Sequence, residues 1–188
     1  MFNRINTVRR GGKRKQLGQM SVEQAIAIAI AALVLAGIIY YVTVGRHNVQ
    51  VNSESANLTS IVAGTQKLYG QDPTSYANVT AAALINNGVV PTSEVNGTAI
   101  ESSFGTPITV APATCYQAND CVAFTYQVDP NLCSDFVTAV SGNLAKVSVG
   151  GTVVKDSTAG TAMAAAALGT ACSSTNGAKV PTIFTASR

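Results

Sequence analysis

The chain has 188 residues, of which 47% are hydrophobic and 11% charged, and this length accommodates one globular domain plus an extension. Its formal charge of +3 is unevenly placed: Arg4, Arg9, Arg10, Lys13, Arg14 and Lys15 supply six of the twelve basic residues before Gly18, and no acidic residue precedes Glu23. Without residues 1–18 the remaining six basic residues face nine acidic ones, a net −3, so the positive charge belongs to a leader. Because that leader lacks interleaved aromatics and runs straight into an apolar segment, it is read as setting membrane topology rather than contacting nucleic acid.

From Ala25 to Val44 the sequence AIAIAIAALVLAGIIYYVTV carries no charge over 20 residues. At about 1.5 Å per residue this reaches about 30 Å, the thickness of a bilayer core. The basic residues before it stay cytoplasmic and send the remainder outward. A secretory signal has an apolar core of about 7 to 15 residues and a small-residue cleavage site. This run is longer, and Val42, Thr43, Val44, Gly45, Arg46 offers no A-x-A pattern. A simple membrane anchor fits the length but leaves the polar collar Gln19, Met20, Ser21, Val22, Glu23, Gln24 without a reason. A carboxylate drawn toward the bilayer centre costs about 2 to 3 kcal/mol, which marks Glu23 as a candidate functional residue. The alternative is an interfacial acid favoured at a helix N-terminus by the helix dipole.

No proline occurs between Met1 and Asp72, so a helix beginning near Gln19 is expected to run to about Tyr69. Its first half is apolar all round; its second carries a stripe of Leu58, Ile61, Val62, Thr65 and Leu68 at helical spacing. Gly37 and Gly45 weaken it by up to about 1 kcal/mol each relative to Ala. Gly70, Gln71, Asp72 and Pro73 end the pattern. A second helix is predicted over Ser75 to Asn87, capped by Gly88. Strands are predicted at Pro107 to Val110, Val122 to Val128, Lys146 to Val149, Thr152 to Lys155 and Val180 to Thr185, with a helix from Leu132 to Leu144 between them. The Ala- and Gly-rich stretch from Thr158 to Thr170 reads as a loop or short helix. Helices first and strands later indicate an α+β fold, with an antiparallel sheet laid on the long helix.

The segment KRKQLGQMSVEQAIAIAIAALVL resembles the class III signal of type IV prepilins, in which a basic leader ends in Gly and Glu is the fifth residue of the mature chain. Counting Gln19 as the first mature residue, Glu23 is the fifth. The family's first residue is usually Phe, Met, Leu or Trp, but a cut after Gln19 would make Glu23 the fourth, so the spacing points to Gly18. YANVTAAALINNGVVPTSEVNGTAIESSFGTPITVAPAT and NLCSDFVTAVSGNLAKVSVGGTVVK are similar to the type IVb pattern of a short helix, a Val-Pro turn, a Gly-containing strand start and a late Cys-bearing helix. The resemblance implies a leader over 1–18 removed by a prepilin peptidase, an assembly helix over 19–45 whose hydrophobic half protrudes, and a globular pilin domain over 46–188. It further implies methylation of the new amino group and pairing of Glu23 with the N-terminus of a neighbouring copy. Its implied partners are copies of the chain in a helical filament, an assembly ATPase with its platform, an outer-membrane secretin, and the inner membrane before assembly. The filament's implied roles are adhesion, aggregation or conjugative contact. A minor pilin or tip adhesin, and a pseudopilin of a secretion system, are the rival readings.

The four cysteines allow three pairings. The resemblance implies a C-terminal disulfide between Cys133 and Cys172, leaving Cys115 with Cys121 as a local loop. Spacings of 6, 12 and 39 positions with no nearby His do not suit a zinc site. His47 is the one histidine and sits beside Arg46 near the membrane exit, which leaves no Ser-His-Asp or Cys-His arrangement. Gly150 to Thr152 reads as a turn, without the Lys and Ser/Thr of a phosphate loop, and Tyr40 and Tyr41 read as interface markers. No enzyme, metal or cofactor is expected.

Overall fold

A computed structural model describes residues 22–71, 75–173 and 177–188. The chain divides into two units, Met1–Thr43 and Val44–Arg188. Helix α1, Val22–Tyr69, contributes to both. The described part of the first unit is helical throughout. In the second unit, Val51, Glu54, Leu58, Ile61, Val62 and Thr65 of α1 are buried, an interval of three or four residues that places them on one face. Thr65 returns its hydroxyl to the Ile61 carbonyl at 2.7 Å, which lets a polar residue lie in that face. The buried stripe starts a full two turns earlier than the expected one and stops short of Leu68, which is 44% exposed.

Where one helix is expected over Ser75 to Asn87, a 3-10 turn at Ser75–Asn78 precedes a shorter helix α2, Ala81–Asn86. Thr80 interrupts them in extended conformation, its hydroxyl accepting the Ala83 N–H at 3.2 Å as an N-cap. A 3-10 turn at Thr92–Glu94 then leads into a small hairpin of β1, Val95–Asn96, and β2, Ala99–Ser102, neither of which the sequence announces. Strands β3, Thr106–Ala113, and β4, Cys121–Val128, follow. Helix α3, Pro130–Val140, ends earlier than the sequence suggests and tightens into a 3-10 turn at Ser141–Asn143. Strands β5, Lys146–Val149, and β6, Thr152–Asp156, are joined by Gly150 and Gly151, both with positive φ, as a two-residue hairpin connection of this twist requires. Helix α4, Ala165–Cys172, and strand β7, Val180–Ser187, complete the chain.

The seven strands of the described residues form one antiparallel sheet in the order β1-β2-β3-β4-β7-β5-β6. The C-terminal strand lies between β4 and β5, pairing Phe124 with Phe184 on one side and Val147 with Phe184 on the other. One core joins the sheet to α3, α4 and the second half of α1. Its centre is an aromatic group in which Phe136 meets Phe104, Tyr126 and Phe184 at 5.1, 5.4 and 5.2 Å between ring centroids, near edge-to-face against Phe104 and Phe184. The fold is α+β, with a long apolar helix at its start and a disulfide near its C-terminus.

Candidate assembly surface and buried carboxylates

Among the described residues the first part of α1 is left uncovered. Ile26, Ile28, Ile30, Leu33, Val34, Leu35, Ile38 and Ile39 are all exposed, as are Tyr40 and Tyr41. They point in every direction around the helix, and the segment has a mean hydropathy of 2.6. Such a helix is buried in a membrane or among other helices, because an apolar side chain left in water forfeits about 1.5 to 3 kcal/mol of transfer free energy. Glu23 lies in the first described turn of α1, exposed, where the dipole favours an anion. Gly18 and Gln19 lie outside the described residues. A Cβ added at Gly37 or Gly45 meets no atom of the described residues within 4 Å, so none of them demands glycine at either place.

All four cysteines are paired: Cys115 with Cys121 and Cys133 with Cys172. The first bridge closes a loop that Asp120 also holds, its carboxylate accepting backbone N–H groups from Cys115, Tyr116 and Gln117 at 2.8 to 2.9 Å. Burial pushes the Asp120 pKa up, but these three bonds outweigh it and hold the group below its ordinary value. Cys115, Asp120 and Cys121 stand close enough to suggest a metal centre, but disulfide sulfur offers no thiolate and the Asp120 oxygens are already taken. The second bridge ties α3 to the last residue of α4.

His47 is partly exposed in a cleft of about 410 Å³, beside Gln50, Asp129 and Asn131 at the start of α3. Among the described residues no Ser, Thr, Cys or Lys lines that cleft with it. A second cleft, of about 270 Å³, lies between α1 and the β1–β2 hairpin and is lined by Ser53, Asn57, Glu94 and Glu101 among others. Sequence reasoning missed two buried carboxylates here: Glu54, fully buried, and Glu94, which lines the cleft yet is only 3% exposed. Glu54 Oε2 accepts the Ser103 N–H at 2.7 Å and the Ser103 hydroxyl. Asn57 donates its amide to Glu94 Oε1. The clue available beforehand was that Glu54 falls four residues before Leu58, on the buried face of α1, rather than on the solvated one.

A long helix apolar through its first half, an antiparallel sheet packed against the second half, and a disulfide-clasped C-terminal region together define the type IV pilin class. The comparisons agree. The crystal structure of TcpA, a type IV pilin from Vibrio cholerae El Tor biotype, superposes with a TM-score of 0.55 over 73% of this chain and 99% of that one, at 19% identity, and so shares the fold. The major structural subunit of bundle-forming pilus from Escherichia coli O127:H6 (strain E2348/69 / EPEC) is 27% identical over 142 residues, covering 71% of this chain and 70% of its own. The protein of the same description from Escherichia coli O111:H- matches to the same extent. The chain belongs to the PilS N-terminal family, whose model matches residues 48–187, and is a pilin of the type IVb class.

Proposed function

We propose that this chain is a non-enzymatic structural subunit, the major pilin of a type IVb pilus, which polymerises through its N-terminal apolar helix into an extracellular filament. The observation that carries this reading is the uncovered apolar surface of α1 from Ile26 to Val44, headed by Glu23, on a chain whose family is that of the pilins. The precursor is held in the inner membrane by that helix, a prepilin peptidase cuts between Gly18 and Gln19, and an assembly ATPase with its platform and an outer-membrane secretin serve extrusion. The filament serves adhesion, bacterial aggregation or conjugative contact between cells.

Glu23 is the residue on which assembly turns in this scheme. In a filament core its carboxylate pairs with the ammonium of Gln19 on a neighbouring copy, and each charge is costly there without the other. Glu23→Gln keeps the shape and removes the charge. Breaking a buried pair in this way costs about 3 to 5 kcal/mol, enough to prevent subunit addition. The expected phenotype is a subunit cleaved and stable in the inner membrane but absent from sheared fibres, with N-terminal sequencing of the wild type starting at Gln19. Wild-type fibre yield from Glu23→Gln cells would refute the assembly role, and a mature N-terminus at Met1 or beyond Val44 would refute the processing step. A low copy number in purified fibres would instead mark a minor pilin.

A further inference from the structure

The segment from Glu94 to Ser103 is fastened to α1 by polar groups. Gln50, Glu54 and Asn57 occupy one face of the helix at intervals of four and three residues, and each reaches that segment. Gln50 donates to the Ser103 carbonyl at 3.3 Å, Glu54 Oε2 accepts from both the N–H and the hydroxyl of Ser103, and Asn57 donates to Glu94 Oε1. Among the described residues the buried Glu94 Oε2 has no hydrogen-bond partner, and the Tyr126 hydroxyl donates to the Glu54 carboxylate. Tyr126, from β4, senses the charge of both carboxylates.

Among the described residues neither carboxylate has an ion-pair partner. The titratable groups that face Glu94 are Glu54 from α1, Tyr126 from β4 and, along the cleft, Glu101 from β2, whose carboxylate accepts the Asn96 amide at 2.8 Å. Lys179 reaches the neighbouring turn, but its ammonium is committed to the Phe104 carbonyl at 2.7 Å. A carboxylate buried beside a second one without a cation ionises only at a large cost, which favours the neutral form of Glu94. Against that cost the Glu94 carboxylate receives one side-chain hydrogen bond among the described residues, from Asn57.

We propose that Glu94, buried beside Glu54 and bonded to Asn57, is a latch that fastens the β1–β2 hairpin to α1, closed while Glu94 is neutral and loosened when its proton leaves. Burial, and then the charge of Glu54, push the Glu94 pKa from 4.5 up to about 7 against the opposing Asn57 bond. Tyr126, raised well above its ordinary value first by burial, stays a neutral hydroxyl throughout this range. Below pH 4.5 Glu94 is neutral whether the hairpin is closed or open. As pH rises from 4.5 to about 7 the open form ionises first, so opening becomes progressively easier, and above about 7 the effect levels off. Those two values give a rise of about 70-fold in the opening constant between about pH 5 and about pH 8.

Native-state hydrogen exchange of the detergent-solubilised full chain, corrected for intrinsic pH dependence, measures this opening in residues 93–103 directly. The wild type should show the rise, Glu94→Gln should flatten it, and Glu101→Gln should leave it in place. Infrared difference spectra of the wild type supply a second readout that needs no variant: a protonated carboxyl C=O band present at about pH 6 and lost by about pH 8.5. Opening that is independent of pH, an unchanged slope in Glu94→Gln, or absence of the carboxyl band would each overturn the proposal. So would closure of the segment at about pH 8 by added calcium or magnesium in the wild type but not in Glu94→Gln, since the occupant would then be a metal ion.

Discussion

The two disulfides differ in the length of chain they close, and removing each in turn gives a quantitative test of how the C-terminal region is held. Cys133 and Cys172 lie 39 positions apart and Cys115 and Cys121 lie 6 apart. In the chain-entropy model, closing these loops in the unfolded state is worth about 3.9 and about 2.2 kcal/mol at 25 °C, so the longer bridge contributes about 1.7 kcal/mol more. The structure widens the gap. The short loop keeps its shape without sulfur because Asp120 accepts three of its backbone N–H groups. The long excursion carries β5, β6 and α4, and its bridge connects two helices whose cysteines are both buried. Replacing both members of each pair with Ala, and measuring urea unfolding of the purified mature protein in detergent, should show Cys133→Ala/Cys172→Ala to be less stable than Cys115→Ala/Cys121→Ala by about 2 kcal/mol. The m-value should also rise more in the first variant, because its unfolded chain exposes more surface. Equal losses in the two variants, or a larger loss for the short loop, would refute the reasoning.

Gly64 faces Val89 so closely that an added Cβ would stand 2.6 Å from Val89 Cγ1. Gly64→Ala therefore sets a helix-propensity gain of about 1 kcal/mol against overpacking of about 1 to 3 kcal/mol. It should become stabilising by about 1 kcal/mol in a Val89→Ala background, and a double-mutant cycle with no coupling would contradict the close packing. Asp120→Ala should cost about 1 to 2 kcal/mol by leaving three backbone donors without their acceptor, read by thermal unfolding. Because the native Asp120 pKa lies below 3.8, its contribution is present above that value and is lost as pH falls through the lowered one, so the variant should lack that part of the wild type's acid sensitivity. Phe136→Ala removes the ring shared by three aromatic contacts and should cost about 3 to 5 kcal/mol, with little change in signal cleavage.

What the sequence discloses follows from local chemistry. An uncharged run of membrane length, a basic leader and a carboxylate at a fixed distance from Gly18 are adjacent in the chain, and their meaning does not depend on how the rest folds. The absence of proline before Asp72 and the three-four spacing of Leu58, Ile61, Val62 and Thr65 likewise announce α1, which the structure extends to Tyr69. Strands β3 to β7 are legible because each is a run of β-branched and aromatic residues bounded by Gly, Pro or Asn. The hairpin of β1 and β2 is not: strands of two and four residues carry too few alternations to stand out, and they exist because β3 offers them an edge.

The neighbours of each element were settled only by the tertiary structure. No local pattern says that β7 enters between β4 and β5, because strand order depends on which faces cover the aromatic group around Phe136, and those residues are drawn from positions 104 to 184. Nor does any pattern say that Glu54 and Glu94, 40 positions apart, are buried in one region beside Tyr126. On a helical wheel a glutamate reads as solvated; here the hairpin covers it, Ser103 supplies its hydrogen bonds, and a second carboxylate approaches it. The sequence determines where the chain can span a membrane and which segments are helix or strand, since those properties arise from near neighbours. What raises the pKa of a buried carboxylate such as Glu94 is desolvation and through-space repulsion, and these act between groups that only folding brings together.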